Sequence, residues 1–328
     1  MKKTLKTLGM LPRRQAAFVT NPKTVLNIIS NLSLVTSLTL DCEQSPGYPT
    51  SFKESFPFIA ALWASFGQNL RFIRLKVPLD AVHDTISSVK LPNLQDLSLD
   101  FSLWCRDTAA SQVIVDFIHN HADTLRFLGI YTRQYLRLFQ MLRDVRIPML
   151  DSFQFYQFSN CTQIDTAGLQ PFLSTYSRTL KTLDLQFHSY NPNIPRETWL
   201  TTPVTLPKLQ SLIVELWWLS DDGIIQCLLD YVVQYSRTLV SLDVSLAPCS
   251  YDQIHGLTTQ FSTQGCLRKL GLLAKTMTPQ LLVLLSNKLP FLEELTLRFY
   301  RLATPEGQVD DQYAEEADVS FCCHSVTH

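Results

Sequence analysis

Twelve consecutive residues of this chain occur almost twice over. Tyr176-Ser-Arg-Thr-Leu180-Lys-Thr-Leu183-Asp-Leu185-Gln-Phe187 returns as Tyr235-Ser-Arg-Thr-Leu239-Val-Ser-Leu242-Asp-Val244-Ser-Leu246. Both copies contain the frame apolar-x-x-apolar-x-apolar. Its last two apolar positions lie two residues apart and share one side of a strand, while the residues between and beyond them face the other side. The frame begins at Val35, Leu70, Leu94, Leu125, Leu150, Leu180, Leu209, Leu239, Leu267 and Leu292, at intervals of 24 to 35 residues. One match means little in a leucine-rich chain. Ten at this spacing point to a solenoid, an array of similar units each stacked on the last.

Two kinds of unit alternate through most of the array. One reaches its strand through a helix end and Asn-Leu or Thr-Leu, at Gln68-Asn-Leu70, Asp123-Thr-Leu125, Arg178-Thr-Leu180 and Arg237-Thr-Leu239. The other arrives through Leu-Pro or Ile-Pro, at Leu91-Pro-Asn-Leu94, Ile147-Pro-Met-Leu150, Leu206-Pro-Lys-Leu209 and Leu289-Pro-Phe-Leu292. The proline fixes an extended lead-in and stops a helix from running into the strand. Units of the first kind recur after 55, 55 and 59 residues, so the working period is a pair.

Apolar spacing predicts a helix opening at Asn21-Pro22, with Val25, Ile28, Ile29 and Leu32 on its buried face. A strand over 35–41 and a helix over 56–66 follow, and further helices are expected over 107–121, 166–176 and 221–235. Strands that all point one way need long, helical connections. The expected fold is therefore α/β, with a curved parallel sheet open on one side and helices covering the other.

A chain of 328 residues exceeds the usual single compact core, but an array adds core one unit at a time. We expect one elongated domain over 21–302, a basic tail over 1–20 without periodic pattern, and an acidic, disordered tail over 303–328 with too little apolar content to pack. A net charge of −1 gives no argument for a nucleic-acid partner. No apolar run approaches the ~20 residues of a membrane span, and no secretory core opens the chain, so neither membrane nor export is expected. The expected location is cytoplasmic or nuclear, with an amphipathic transit peptide in the first 40 residues as the competing reading. Eight scattered cysteines read as thiols in a reducing compartment.

The frame, its long helices and its Leu-Pro-x-Leu-x-x-Leu-x-Leu lead-ins resemble the leucine-rich repeats of the ribonuclease-inhibitor-like type, and most closely those of fungal F-box proteins, over about residues 25–300. The resemblance implies a horseshoe of about ten irregular repeats. It also implies a protein substrate on the concave strand face and an N-terminal F-box that docks on a Skp-type adaptor of a ubiquitin ligase. Leu11-Pro12 is followed by Arg13-Arg14-Gln15 where that family has an acidic residue, and an F-box is not recognisable.

Two readings follow: a non-enzymatic recognition scaffold, serving as the substrate-binding part of such a ligase, or a partial or divergent repeat protein without adaptor binding. The catalytic motifs G-x-S-x-G, H-E-x-x-H, G-x-G-x-x-G and the P-loop are missing from the sequence, and the seven histidines are dispersed. No enzyme, cofactor or metal is expected. His119-Asn-His121 reads as an exposed pair near a helix end.

The residues flanking the two inner positions of each strand should form the partner face. They include Arg74 and Lys76 as a basic corner, then Tyr131, Gln154, Tyr156, Asp184, Gln186, Glu215 and Asp243. Two positions further along stand Phe158, His188 and Trp217. The expected interface is an aromatic centre with an acidic rim; the competing reading tucks Phe158 and Trp217 under neighbouring loops.

Overall fold

The structure is a computed structural model and describes residues 5–9, 34–41, 56–76, 86, 89–101, 109–132, 138–159, 168–189, 204–216, 222–303, 309–310 and 317–322. The chain forms two compact units, Met1–Thr179 and Leu180–His328.

In the first unit, six strands run parallel in sequence order. They are β1 (Leu5–Gly9), β2 (Ser37–Asp41), β3 (Phe72–Lys76), β4 (Asp96–Phe101), β5 (Phe127–Thr132) and β6 (Ser152–Ser159). Helices α1 (Phe56–Phe66), α2 (Ala109–Asn120), α3 (Leu138–Met141) and α4 (Leu169–Thr175) lie between or after them. The frame leucines stack in register. Leu38, Ile73, Leu97, Leu128 and Phe153 make one column; Leu40, Leu75, Leu99, Ile130 and Phe155 make the next. All ten are buried. Helix residues close over them, with Phe139 lying 4.6 Å from Phe155 and 5.5 Å from Phe172, ring to ring.

The second unit repeats the plan with β7 (Thr182–Ser189), β8 (Ser211–Leu216), α5 (Asp222–Val233), β9 (Ser241–Cys249), α6 (Tyr251–Ser262), β10 (Lys269–Met277), α7 (Pro279–Lys288) and β11 (Glu294–Ala303). Strands β7 to β11 are parallel, and Leu183, Leu212, Leu242, Leu270 and Leu295 form a buried column. Two short strands, β12 (Val309–Asp310) and β13 (Ala317–Cys322), pair antiparallel with β11.

A strand thus stands at every frame. The helices expected over 107–121, 166–176 and 221–235 are α2, α4 and α5, each ending one or two residues earlier, and the helix expected over 56–66 is α1. The helix expected from Asn21 lies outside the described residues. Strands β1 and β13 stand where the sequence led us to expect no pattern and disorder: they add to the strand edges as backbone, which needs no leucine frame. Helices α6 and α7 carry clear start signals. Ser250 accepts from the Gln253 N–H while the Gln253 side chain accepts from the Ser250 N–H, and Thr278 accepts from the Leu281 N–H with Pro279 behind it.

The two lead-ins have distinct turn chemistry. In the proline kind, the frame leucine donates its N–H to the carbonyl three residues back, 3.1 Å each at Leu94, Leu150, Leu209 and Leu292. In the threonine kind, Thr124, Thr179 and Thr238 donate both N–H and hydroxyl to the carbonyls of His121, Tyr176 and Tyr235. The side chains of those three residues reach into the preceding unit. Tyr176 donates to the Val145 carbonyl (2.6 Å), Tyr235 to the Val204 carbonyl (2.5 Å), and His121 Nε2 accepts from the Leu91 N–H (3.0 Å). His121 is therefore a buried latch, correcting the expectation of an exposed histidine. Its Nδ1 donates to the Phe117 carbonyl, which fixes the neutral tautomer, and burial holds its pKa below the ordinary value.

Candidate interaction face

With the columns turned to the helices, the alternate residues of each strand stand on the other side. Strand register sets which of them meet.

In the first unit, Arg74 lies in the row Thr39, Arg74, Ser98, Gly129, Gln154. The next row is Asp41, Lys76, Asp100, Tyr131, Tyr156. Lys76 Nζ pairs with Asp41 at 3.3 Å. Arg74 is exposed, and its guanidinium carbon sits 5.7 Å from the centre of the Tyr131 ring, across the small Ser98 and Gly129. Tyr131 and Tyr156 rings lie 5.9 Å apart, and the Tyr131 hydroxyl donates to Gln154 Oε1 at 2.6 Å. Arg74, Tyr131, Gln154 and Tyr156 are thus brought into one connected group. Phe158, one step beyond Tyr156 on the same side of β6, is half-buried.

The second unit presents carboxylates. Asp184 is 7% exposed and accepts from Gln186 Nε2 at 3.0 Å. Gln186 and Glu215 are in register on β7 and β8. Asp243 lies over Gly271 of the next strand, so close that a Cβ there would fall 2.5 Å from its Oδ1; the same oxygen accepts from the Ser245 N–H. Burial first, then Asp243 and Asp184, push the Glu215 carboxyl up to about 7, with Arg298 acting the other way. His188 Nε2 stands 3.9 Å from Glu215, and burial depresses the imidazole to about 4. At neutral pH that contact joins a neutral ring to a carboxyl near its midpoint, so it is no strong ion pair. Trp217 lies outside the described residues.

Two site residues expected at the surface, Asp184 and His188, are buried. Gly271 reads in the sequence as one position of this face, with no contact assigned to it. A glycine inside a strand is a signal of close approach, and here the approaching group is Asp243.

Among the described residues, no group of three or more histidines, cysteines, aspartates or glutamates could hold a metal ion. Burial pushes the Cys249 thiol up to about 12, far from a nucleophilic thiolate. No described helix is long and apolar enough to cross a membrane. No protein-family model matches the chain, and no curated protein matches it.

Proposed function

We propose that this chain is a leucine-rich-repeat scaffold of the horseshoe type that binds another protein on the open face of its strands and catalyses nothing. The observation that carries the reading is the division of the strands that stand at the frames, β2 to β11. One side is a leucine column closed by helices; the other holds aromatic, amide and charged side chains in register, of which Arg74, Tyr131, Gln154 and Tyr156 keep partial or full exposure. Solenoids recognise partners with such a face, because successive strands build one continuous surface from single residues.

The test is affinity capture with the full chain, comparing wild type with the double variant Tyr131→Ala and Tyr156→Ala. Loss of the same captured protein by tenfold or more, with an unchanged circular-dichroism spectrum, supports the reading. Undiminished capture by the folded variant rejects this face. Adding a Skp-type adaptor to the same experiment distinguishes a ligase subunit, which would co-purify with it in stoichiometric amount, from a stand-alone scaffold.

A further inference from the structure

We infer that the partner of the first unit presents an Asp or Glu carboxylate beside an aromatic or large apolar side chain. This rests on the scaffold reading of the same face and names the chemistry of what it binds.

The argument starts from Arg74. Its side chain is exposed, and the contact the structure gives its guanidinium is the Tyr131 ring. An arginine laid on an aromatic face is held in place without using its N–H donors, since the attraction is to the ring's π-cloud. The planar edge of the guanidinium stays open to an acceptor. A carboxylate matches that edge with two parallel hydrogen bonds.

Neighbouring charges sharpen the choice. Lys76 is occupied with Asp41. Asp100 is 8% exposed and engaged elsewhere, so it is no competitor for an incoming acid at the surface. Among the described residues of these two rows the exposed cation is Arg74, and an acidic partner supplies the complementary charge. Beside it, the Tyr131 and Tyr156 rings, 5.9 Å apart, form a broad half-exposed surface. The Tyr131 hydroxyl donates to Gln154, so it is engaged within the face. Flat aromatic area with a pre-placed arginine at its edge suits an acid next to an apolar side chain.

The experiment is selection of a random-peptide phage library on the full-length chain, followed by solution binding of fluorescein-labelled winners. Each winner is compared with its Glu→Gln or Asp→Asn isostere, on wild type and on Arg74→Gln, Arg74→Lys and Tyr156→Ala. We expect winners with an acid adjacent to Phe, Tyr, Trp or Leu. The isostere should lose about tenfold or more, as expected for a charge-assisted hydrogen bond. Arg74→Gln should lose as much, and the two losses should not add, because they remove the same contact. Arg74→Lys should recover only part, since an ammonium lacks the two-pronged edge.

Winners without acids, or winners whose binding ignores Arg74→Gln yet fails with Tyr156→Ala, overturn this inference and leave the scaffold reading standing. So does a clear preference for phosphoserine over the carboxylate. If a folded chain yields no peptide sensitive to either Arg74 or Tyr156, both fall together.

Discussion

The two units bury matching columns of strand residues and lay different chemistry over them. In the first, the columns end on an aromatic cluster at β6: Phe153 and Phe172 rings are 4.6 Å apart, and Tyr176 follows Phe172 at 4.8 Å. Its open face pairs cation with acid and lays arginine on tyrosine. In the second, the column is aliphatic, with the Tyr231 and Tyr235 rings 5.3 Å apart in the helical layer, and the open face gathers Asp184, Glu215 and Asp243. The frame fixes where a side chain goes. Its neighbours one strand away fix what it can do there, and those neighbours lie 24 to 35 residues off in sequence.

The largest test of this contrast is in the cores. Phe153→Ala should cost about 3–5 kcal/mol and Leu212→Ala about 2–5 kcal/mol, since each opens a cavity in a closed column. Hydrogen exchange read by mass spectrometry should show the first loosening β5 and β6 and the second loosening β8 and β9. Equal loosening of both units by either change would break the comparison.

Two groups on the second unit's face respond to pH. Glu215 holds its proton more tightly folded than unfolded, so its contribution to stability falls as pH rises from 4.5 to about 7. His188 holds its proton less tightly when folded, so its contribution falls as pH drops from 6.5 to about 4. Between pH 4.5 and 6.5 the two oppose each other, each on the order of 1–3 kcal/mol across its window. Glu215→Gln should therefore make stability in the second unit climb with pH over that range, and His188→Gln should make it decline. Urea midpoints from pH 4.5 to 7 check the pair; variants tilting the same way would contradict the assignment.

The latches should be alike in both units. Tyr176→Phe and Tyr235→Phe each leave a carbonyl, Val145 or Val204, without its phenol donor and should cost about 1–2 kcal/mol. A large difference between them would show that the helical layers are not equivalent. Smallest is Gly271→Ala, whose Cβ would displace the Asp243 carboxylate from the Ser245 N–H. A loss of about 0.5–1.5 kcal/mol is expected, visible as faster exchange of the Ser245 amide.

Much of the architecture was legible because period is a local property repeated many times. Every frame marked a strand, and α1, α2, α4 and α5 lie where apolar spacing placed them. Helices α6 and α7 went unnamed although Ser250 with Gln253 and Thr278 with Pro279 announced their starts. Strands β1 and β13 pair through backbone groups, which leave no mark in the side-chain pattern. Of the face, positions were readable and environments were not. The sequence set Arg74 and Lys76 together as a basic corner, whereas in the fold Lys76 pairs with Asp41 and Arg74 reaches diagonally to Tyr131 in the neighbouring row. His121 misled because its role depends on Leu91, thirty residues earlier, whose N–H it accepts.

That reach backwards has a consequence for how the chain could have grown or shrunk. His121, Tyr176 and Tyr235 each satisfy a backbone group in the preceding proline-type unit, and they recur after 55 and 59 residues. A duplication or excision of one strand and its helix would strand either a latch without its partner or a backbone group without its latch. Removal of residues 122–176 would instead join His121 to Ser177-Arg-Thr-Leu180, carrying an intact turn into an intact strand. The smallest length change such a gene could tolerate is then the pair, so relatives of different size should differ by steps of about two units.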